Sequence, residues 1–300
     1  MTTSRYEYPF DPDKRNNTAA SVFRLARDGR ARVLDLGCGP GIVAGALATL
    51  ADKDVTGVDL EDSHLEAAAE RGVQRTISSD LTSAVWSDEL AGEQFDVIVL
   101  ADVLEHLVDP ASLLERIRER QLLAPDGFLI VSIPNAGHIA FLALLATGDF
   151  PYRPAGLLDA THLRFFTLTS MRRMLEEQGF GIGRVLRTVK PLQKTEFGYL
   201  VDRLSPDTLH RLLAQHEETE TYQFVLRVEP LQADLVATLQ KDLDRAKTQR
   251  RRARRRAKDL EKQLEAAYAS STWRVGRAIV GGPAKLLRRG RSSGGARGAR

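Results

Sequence analysis

Two groups of residues in this 300-residue chain have the types and spacing to do chemistry. The first is a set of proton-carrying side chains in three clusters. These are Asp102, Glu105 and His106, then Asn135 and His138, then Tyr152, Arg153, Asp159, His162 and Arg164. A neutral imidazole is suited to take a hydroxyl proton near pH 7. His162 is the first candidate for such a base, because Asp159 stands three residues earlier and a helical turn would let it orient the ring. His106 is the second candidate and His138 the third. Asp159, His162 and another ligand have no tight metal-ligand spacing, so no metal is expected. The second group is the glycine-rich run Val33-Leu-Asp-Leu-Gly37-Cys-Gly39-Pro-Gly41. Glycines at that spacing let the backbone turn sharply and approach a ligand closely, because no Cβ intervenes.

These groups need elements to hold them. The run from Val33 reads as a buried strand leading into a turn, then into a helix from about Ile42. The start of that helix offers unpaired N–H groups, so the turn reads as a nucleotide-type binding loop. A dinucleotide fingerprint needs a third glycine at position 42, which is Ile; a count shifted to Gly39, Gly41 and Ala44 fits only its lenient form. A second strand, residues 54–60, ends at Asp59, where an acid can accept hydrogen bonds from ribose hydroxyls. A third, residues 75–80, ends at Asp80, and a fourth, residues 95–102, ends at Asp102. A fifth, Phe128 to Ile133, is stopped by Pro134, with a helix at about 137–147. Residues 148–168 break the alternation; residues 169–178 read as a capped helix stopped by Gly179. Strands near 183–189 and 221–228 flank residues 190–220, which read as an insertion with a helix around 206–215. Strands alternating with helices predict an α/β fold, a doubly wound, mostly parallel sheet.

VLDLGCGPG (33–41), GVDL (57–60), SSDL (78–81) and FDVIVLADVLEHL (95–107) stand in order and at the spacing that resembles the class I S-adenosylmethionine-dependent methyltransferases. The resemblance covers about residues 20–230 and implies a seven-stranded Rossmann-like sheet whose last strand is antiparallel. It also implies S-adenosyl-L-methionine as cofactor. The methionine part would meet Gly37, Gly39 and Gly41, and Asp35 would help orient the amino group. Asp59 would hold the ribose and Asp80 would meet the adenine, with Asp102 counted among the cofactor-binding acids. The segment SIPNAGH…LLDATHLRFFT (132–167) resembles a branch found with glycosyltransferases in bacterial surface-polysaccharide pathways. That implies O-methylation of a saccharide or glycolipid-linked glycan. Ligands in such folds sit beyond the carboxyl ends of the strands, which is where the three clusters fall.

Composition sets the remaining limits. Apolar content of 43% is ample for a core, and the single Cys38 cannot pair within the chain, which points to a reducing, cytoplasmic setting. Cys38 reads as a small residue that fits the loop. Residues 1–20 lack the apolar core of a secretory signal, and no stretch is apolar enough to span a bilayer.

Charge divides the chain. Residues 1–227 carry a net −9 and residues 228–300 a net +12. Residues 231–269 read as a long helix with a heptad seam through Leu239, Leu243, Leu260 and Leu264, which would favour a homodimer through a coiled coil. Residues 270–300 read as a basic tail in which Trp273, Val275 and Ile279 alternate with arginines. Such a tail suits an anionic membrane surface, which would place the protein peripherally on the inner membrane face. A nucleic-acid or other small-molecule methyltransferase is the alternative. It is disfavoured for nucleic acid because the fourth strand lacks an Asn/Asp-Pro-Pro-Tyr motif and no RNA-binding module is visible. A non-catalytic scaffold with a degenerate cofactor domain is the other, and the intact loop and acids speak against it.

Overall fold

A computed structural model describes residues 9–231 and 233–269. The chain divides into two units, one up to Leu231 and one from Gln232. In the first unit the elements run α1 (Thr18–Ala26), β1 (Arg32–Leu36), α2 (Ile42–Leu50), β2 (Asp54–Asp59), α3 (Asp62–Glu70), β3 (Arg75–Ser78), α4 (Val85–Glu89) and β4 (Phe95–Ala101). They continue with α5 (Pro110–Glu119), β5 (Leu123–Pro134), α6 (Ile139–Ala146), α7 (Leu168–Glu177), β6 (Phe180–Val189), α8 (Pro206–Leu213) and β7 (Thr221–Pro230). The strands form one seven-stranded sheet in the order β3-β2-β1-β4-β5-β7-β6. β7 alone runs opposite to the other six strands, which matches the expected topology.

The central strands are apolar throughout because both of their faces are covered. Successive side chains of a strand point to opposite faces, and the core divides accordingly. Leu34, Leu36, Ile98 and Leu100 join a cluster with Trp86, Leu113, Ile117, Met171 and Leu175. Val33, Val97 and Val99 join a second cluster with Phe23, Leu47, Leu65 and Ala68. Helix α1 therefore belongs to this core. The Asn17 side chain caps it by accepting the Ala20 N–H at 2.9 Å. Asn16 ties the entry to the far edge of the sheet, donating to the Val189 carbonyl at 2.7 Å and accepting its N–H at 2.6 Å. Residues 190–220 hold two short 3₁₀ turns and α8; Leu192, Phe197 and Leu200 there pack with Ile139, Phe141 and Leu144 of α6 in a third cluster.

Gly41 caps α2 with φ +75°, and a Cβ there would lie 2.7 Å from the Ala68 backbone of α3. Gly41→Ala is therefore expected to cost about 2–4 kcal/mol, from left-handed backbone strain and overpacking together. Thermal unfolding of the variant checks this.

In the second unit helix α9 spans Ala233–Ala269. Arg250–Arg252 and Arg254–Arg256 are exposed along it, as are Leu260 and Leu264 of the heptad seam. No helix among the described residues is long and apolar enough to cross a membrane. The tail proposed as a membrane-surface anchor, residues 270–300, lies outside the described residues.

Candidate active site

The sheet order reverses direction between β1 and β4, and a doubly wound sheet opens a ligand crevice at that point, beyond its carboxyl edge. The glycine loop after β1 and the turn after β4 form its two sides. Gly37 and Cys38 N–H groups donate to the Val58 carbonyl at 2.7 and 3.1 Å, which pins the loop to β2. The Arg71 guanidinium donates to the Pro40 carbonyl at 3.0 Å from the far side. Asp59 is a hub at the end of β2. Its Oδ2 accepts the Gly39 N–H at 2.8 Å, and its Oδ1 meets Glu61 N at 3.0 Å and His64 Nδ1 at 3.1 Å. The space in front of Gly39 is open, with no protein atom within 4 Å of where a Cβ would stand. Burial pushes the Cys38 thiol far above its ordinary range, so it has no nucleophilic character.

Asp35 lies inside β1 and is buried, and its Oδ1 has no hydrogen-bond partner. Burial and then the nearby Asp59 charge push its carboxyl up to about 7. A buried, unpartnered acid beneath an open glycine loop fits a ligand that brings a cationic group, as the amino group of S-adenosylmethionine would. Asp80 is exposed after β3, its Oδ1 accepting the Thr82 N–H at 2.7 Å. Asp102 holds φ +54°, an uncommon backbone for a non-glycine residue that clusters at functional sites. Its Oδ1 accepts from Ser132 Oγ at 2.6 Å and from Gln223 Nε2 at 3.2 Å, which joins the ends of β4, β5 and β7.

The turn after β4 carries Glu105 and His106 in a 3₁₀ turn, Leu104–His106. The irregular segment folds back onto it: the Glu105 carbonyl accepts the Leu163 and Arg164 N–H groups at 2.8 and 3.0 Å. That clamp brings the His162 ring against His106, with centroids 4.9 Å apart at 67°. His106 Nδ1 faces the Thr161 carbonyl and His162 Nδ1 the Leu157 carbonyl, each at 3.2 Å. A carbonyl can only accept, so Nδ1 carries a proton in both rings, and the lone pair of a neutral ring so held lies on Nε2. Burial, then the neighbouring His106, hold His162 below the usual imidazole range, so it is neutral at physiological pH.

Glu105 is 1% exposed and neither of its carboxylate oxygens has a hydrogen-bond partner. Burial and then the Asp102 charge hold it well above the usual carboxylate range. One oxygen of Glu105 and one ring nitrogen each of His106 and His162 all lie within 4.8 Å of one another. The linear spacing of Asp159 and His162 did not show this grouping, and Glu105 stood on the expected rim without a role. The available signal was an acid at a position flanked by Val103, Leu104 and Leu107, all buried.

The other expected residues behave differently. Asp159 Oδ1 accepts from Thr161 N and Oγ1 at 2.9 and 2.6 Å, while His162 Nδ1 turns to Leu157. His138, the third candidate base, is fully buried and caps α6. Its Nδ1 accepts the Ala140 N–H at 3.1 Å and its Nε2 donates to the Lys190 carbonyl at 2.7 Å. Both ring nitrogens are thus engaged by the backbone, and neither is open to a substrate hydroxyl in this arrangement. From the histidine pair a wall of rings runs outward: His162 to Phe165 at 6.4 Å, Phe165 to Phe150 at 6.0 Å, and Phe150 to Tyr152 at 5.8 Å. Phe150, Tyr152 and Phe165 are exposed.

Curated relatives include the ubiquinone biosynthesis O-methyltransferase of Psychrobacter arcticus, 33% identical over 156 residues, 50% of this chain and 58% of the relative. That of Bordetella pertussis is 35% identical over 125 residues, 41% of this chain and 50% of the relative. The chain thus spans about half the length of these relatives. A solved SAM dependent methyltransferase from Archaeoglobus fulgidus aligns with a TM-score of 0.48 at 16% identity, over 70% of this chain and 91% of that one. A family profile described as a methyltransferase domain matches residues 13–183, more than half of the sequence, and the chain belongs to that family of S-adenosylmethionine-dependent methyltransferases.

Proposed function

We propose that the protein transfers the methyl group of S-adenosylmethionine to a hydroxyl oxygen of a saccharide or glycolipid-linked glycan. The observation that carries the O-methylation reading is the Glu105–His106–His162 cluster, built on the turn after β4 beside the crevice. Methyl transfer from a sulfonium is an in-line displacement. The acceptor oxygen forms a bond to the methyl carbon, and the carbon–sulfur bond breaks with its electron pair going to sulfur. The donor is already activated by its charge, so the protein must align the oxygen and ease the loss of its proton. The neutral His162 and its neighbours are the groups in this crevice suited to that task. Asp35, the glycine loop, Asp59 and Asp80 are read as the cofactor's cradle.

The saccharide reading is supported by the resemblance of residues 132–167 and by the exposed ring wall, since aromatic faces suit the apolar face of a sugar ring. The same wall suits a phenolic ring, and the ubiquinone biosynthesis relatives favour that as the second reading. Isotope-labelled S-adenosylmethionine and the full chain, incubated with cell-envelope glycan extract and separately with simple phenols, separate the two. Label appearing in the glycan fraction as an acid-stable methyl ether is the expected result. Label confined to phenols overturns the saccharide reading and leaves O-methylation standing.

A further inference from the structure

We propose that Glu105, His106 and His162 bind a divalent first-row transition-metal ion at the acceptor end of the crevice. Three observations point there independently. One carboxylate oxygen and two imidazole nitrogens from residues 56 apart in sequence converge within 4.8 Å, a distance one ion can bridge after small side-chain adjustments. The Glu105 carboxyl is buried and neither of its oxygens has a hydrogen-bond partner, so both remain open to a ligand. Both histidines donate Nδ1–H to backbone carbonyls, the outer-shell arrangement that orients a metal-binding ring and leaves the Nε2 lone pair for the ion.

The donor set indicates the class of ion. Two imidazoles and one carboxylate suit zinc or ferrous iron, whereas magnesium prefers oxygen ligands throughout. Three protein ligands leave positions for a substrate oxygen. The role of the ion rests on the proposed acceptor hydroxyl; its binding does not. A hydroxyl bound to such an ion loses its proton to solvent water near neutral pH, and the resulting alkoxide is the nucleophile for the sulfonium methyl. His162 is then a ligand that makes the oxygen acidic, and the proton goes to bulk water.

The test uses the full chain, stripped with a chelator and titrated with Zn2+ in competition with a chromophoric chelator. One equivalent per chain is expected, and Co2+ in its place should give visible d–d absorption of a nitrogen–oxygen site. Glu105→Gln and His162→Ala should each weaken Zn2+ at least 100-fold while S-adenosylmethionine still binds in calorimetry. If either variant does not fold, His106→Ala, whose ring is partly exposed, carries the same comparison. Wild-type protein that takes up no stoichiometric Zn2+, or variants that keep it at wild-type affinity, overturn the proposal. Tight Zn2+ without methylation of any hydroxyl acceptor would support the metal site and sink the O-methyltransferase reading instead.

Discussion

Asp35→Asn is expected to remove S-adenosylmethionine binding while raising the melting temperature. The two effects have one cause. Asp35 is buried with one carboxylate oxygen unpartnered, and its carboxyl is pushed up to about 7. An unfolded aspartic acid titrates near 3.9, so the folded state holds this proton more tightly than the unfolded state does. By linkage, the fold is favoured at low pH and loses that stability as pH rises from about 4 to about 7. An amide removes the buried charge and with it that loss. On the proposed reading the carboxylate is the partner of the cofactor's amino group, and an amide cannot replace it. In the wild type, cofactor affinity should fall by up to tenfold per pH unit below about 7, because protonation of Asp35 then competes with binding. Calorimetric titration from pH 5 to 8, paired with thermal unfolding, reads both effects. An Asn variant that binds normally would remove Asp35 from the cofactor's cradle.

The second large effect is on turnover. His162→Ala is expected to lower kcat about 100- to 10,000-fold with cofactor affinity unchanged, the range lost with a group that manages a proton in the transition state. The ring makes this separation achievable: it stands on the 148–168 segment, and the glycine loop and Asp59 make none of its hydrogen bonds. The pH profile has a definite sign. Burial holds His162 below the usual imidazole range, so its neutral form persists as pH falls, and activity should decline on the acid side only below about 6.5. The same depressed value means that the stability this residue contributes is present above the unfolded imidazole value and is lost as pH falls through the folded one. Single-turnover methyl transfer, with cofactor binding measured beside it, checks the prediction. Near-normal turnover would take His162 out of the chemistry.

Much of this molecule is legible along the chain where neighbours in sequence are neighbours in space. The run from Val33 to Gly41 specifies a strand, a turn and a helix start by local rules, and the structure has β1, the glycine loop and α2 at those places. Each of the next three strands ends on or beside its acid: Asp59 closes β2, while Asp80 and Asp102 follow β3 and β4 within two residues. The antiparallel β7 was reachable only through the family resemblance, since a strand's apolar pattern does not encode the direction of its partner.

Other features depended on contacts that no window of sequence contains. The seating of helix α1 depends on Val189, Thr188 and Gln223, more than 150 residues away. In the sequence His162, His106 and His138 are three histidines on one rim, with only the nearby Asp159 setting His162 first. Only the fold separates them: the Ala140 N–H and Lys190 carbonyl use up His138, whereas the Glu105 carbonyl draws Leu163 and Arg164 in and sets His162 against His106. The sequence by itself determined the cofactor loop and the strand-end carboxylates, because strand, turn and helix start follow from short-range sterics and periodicity. Tertiary structure alone decided which imidazole nitrogens the backbone engages and that a buried carboxyl lies beside His106 and His162, because that outcome rests on backbone hydrogen bonds closed across 58 and 59 residues, from Glu105 to Leu163 and Arg164.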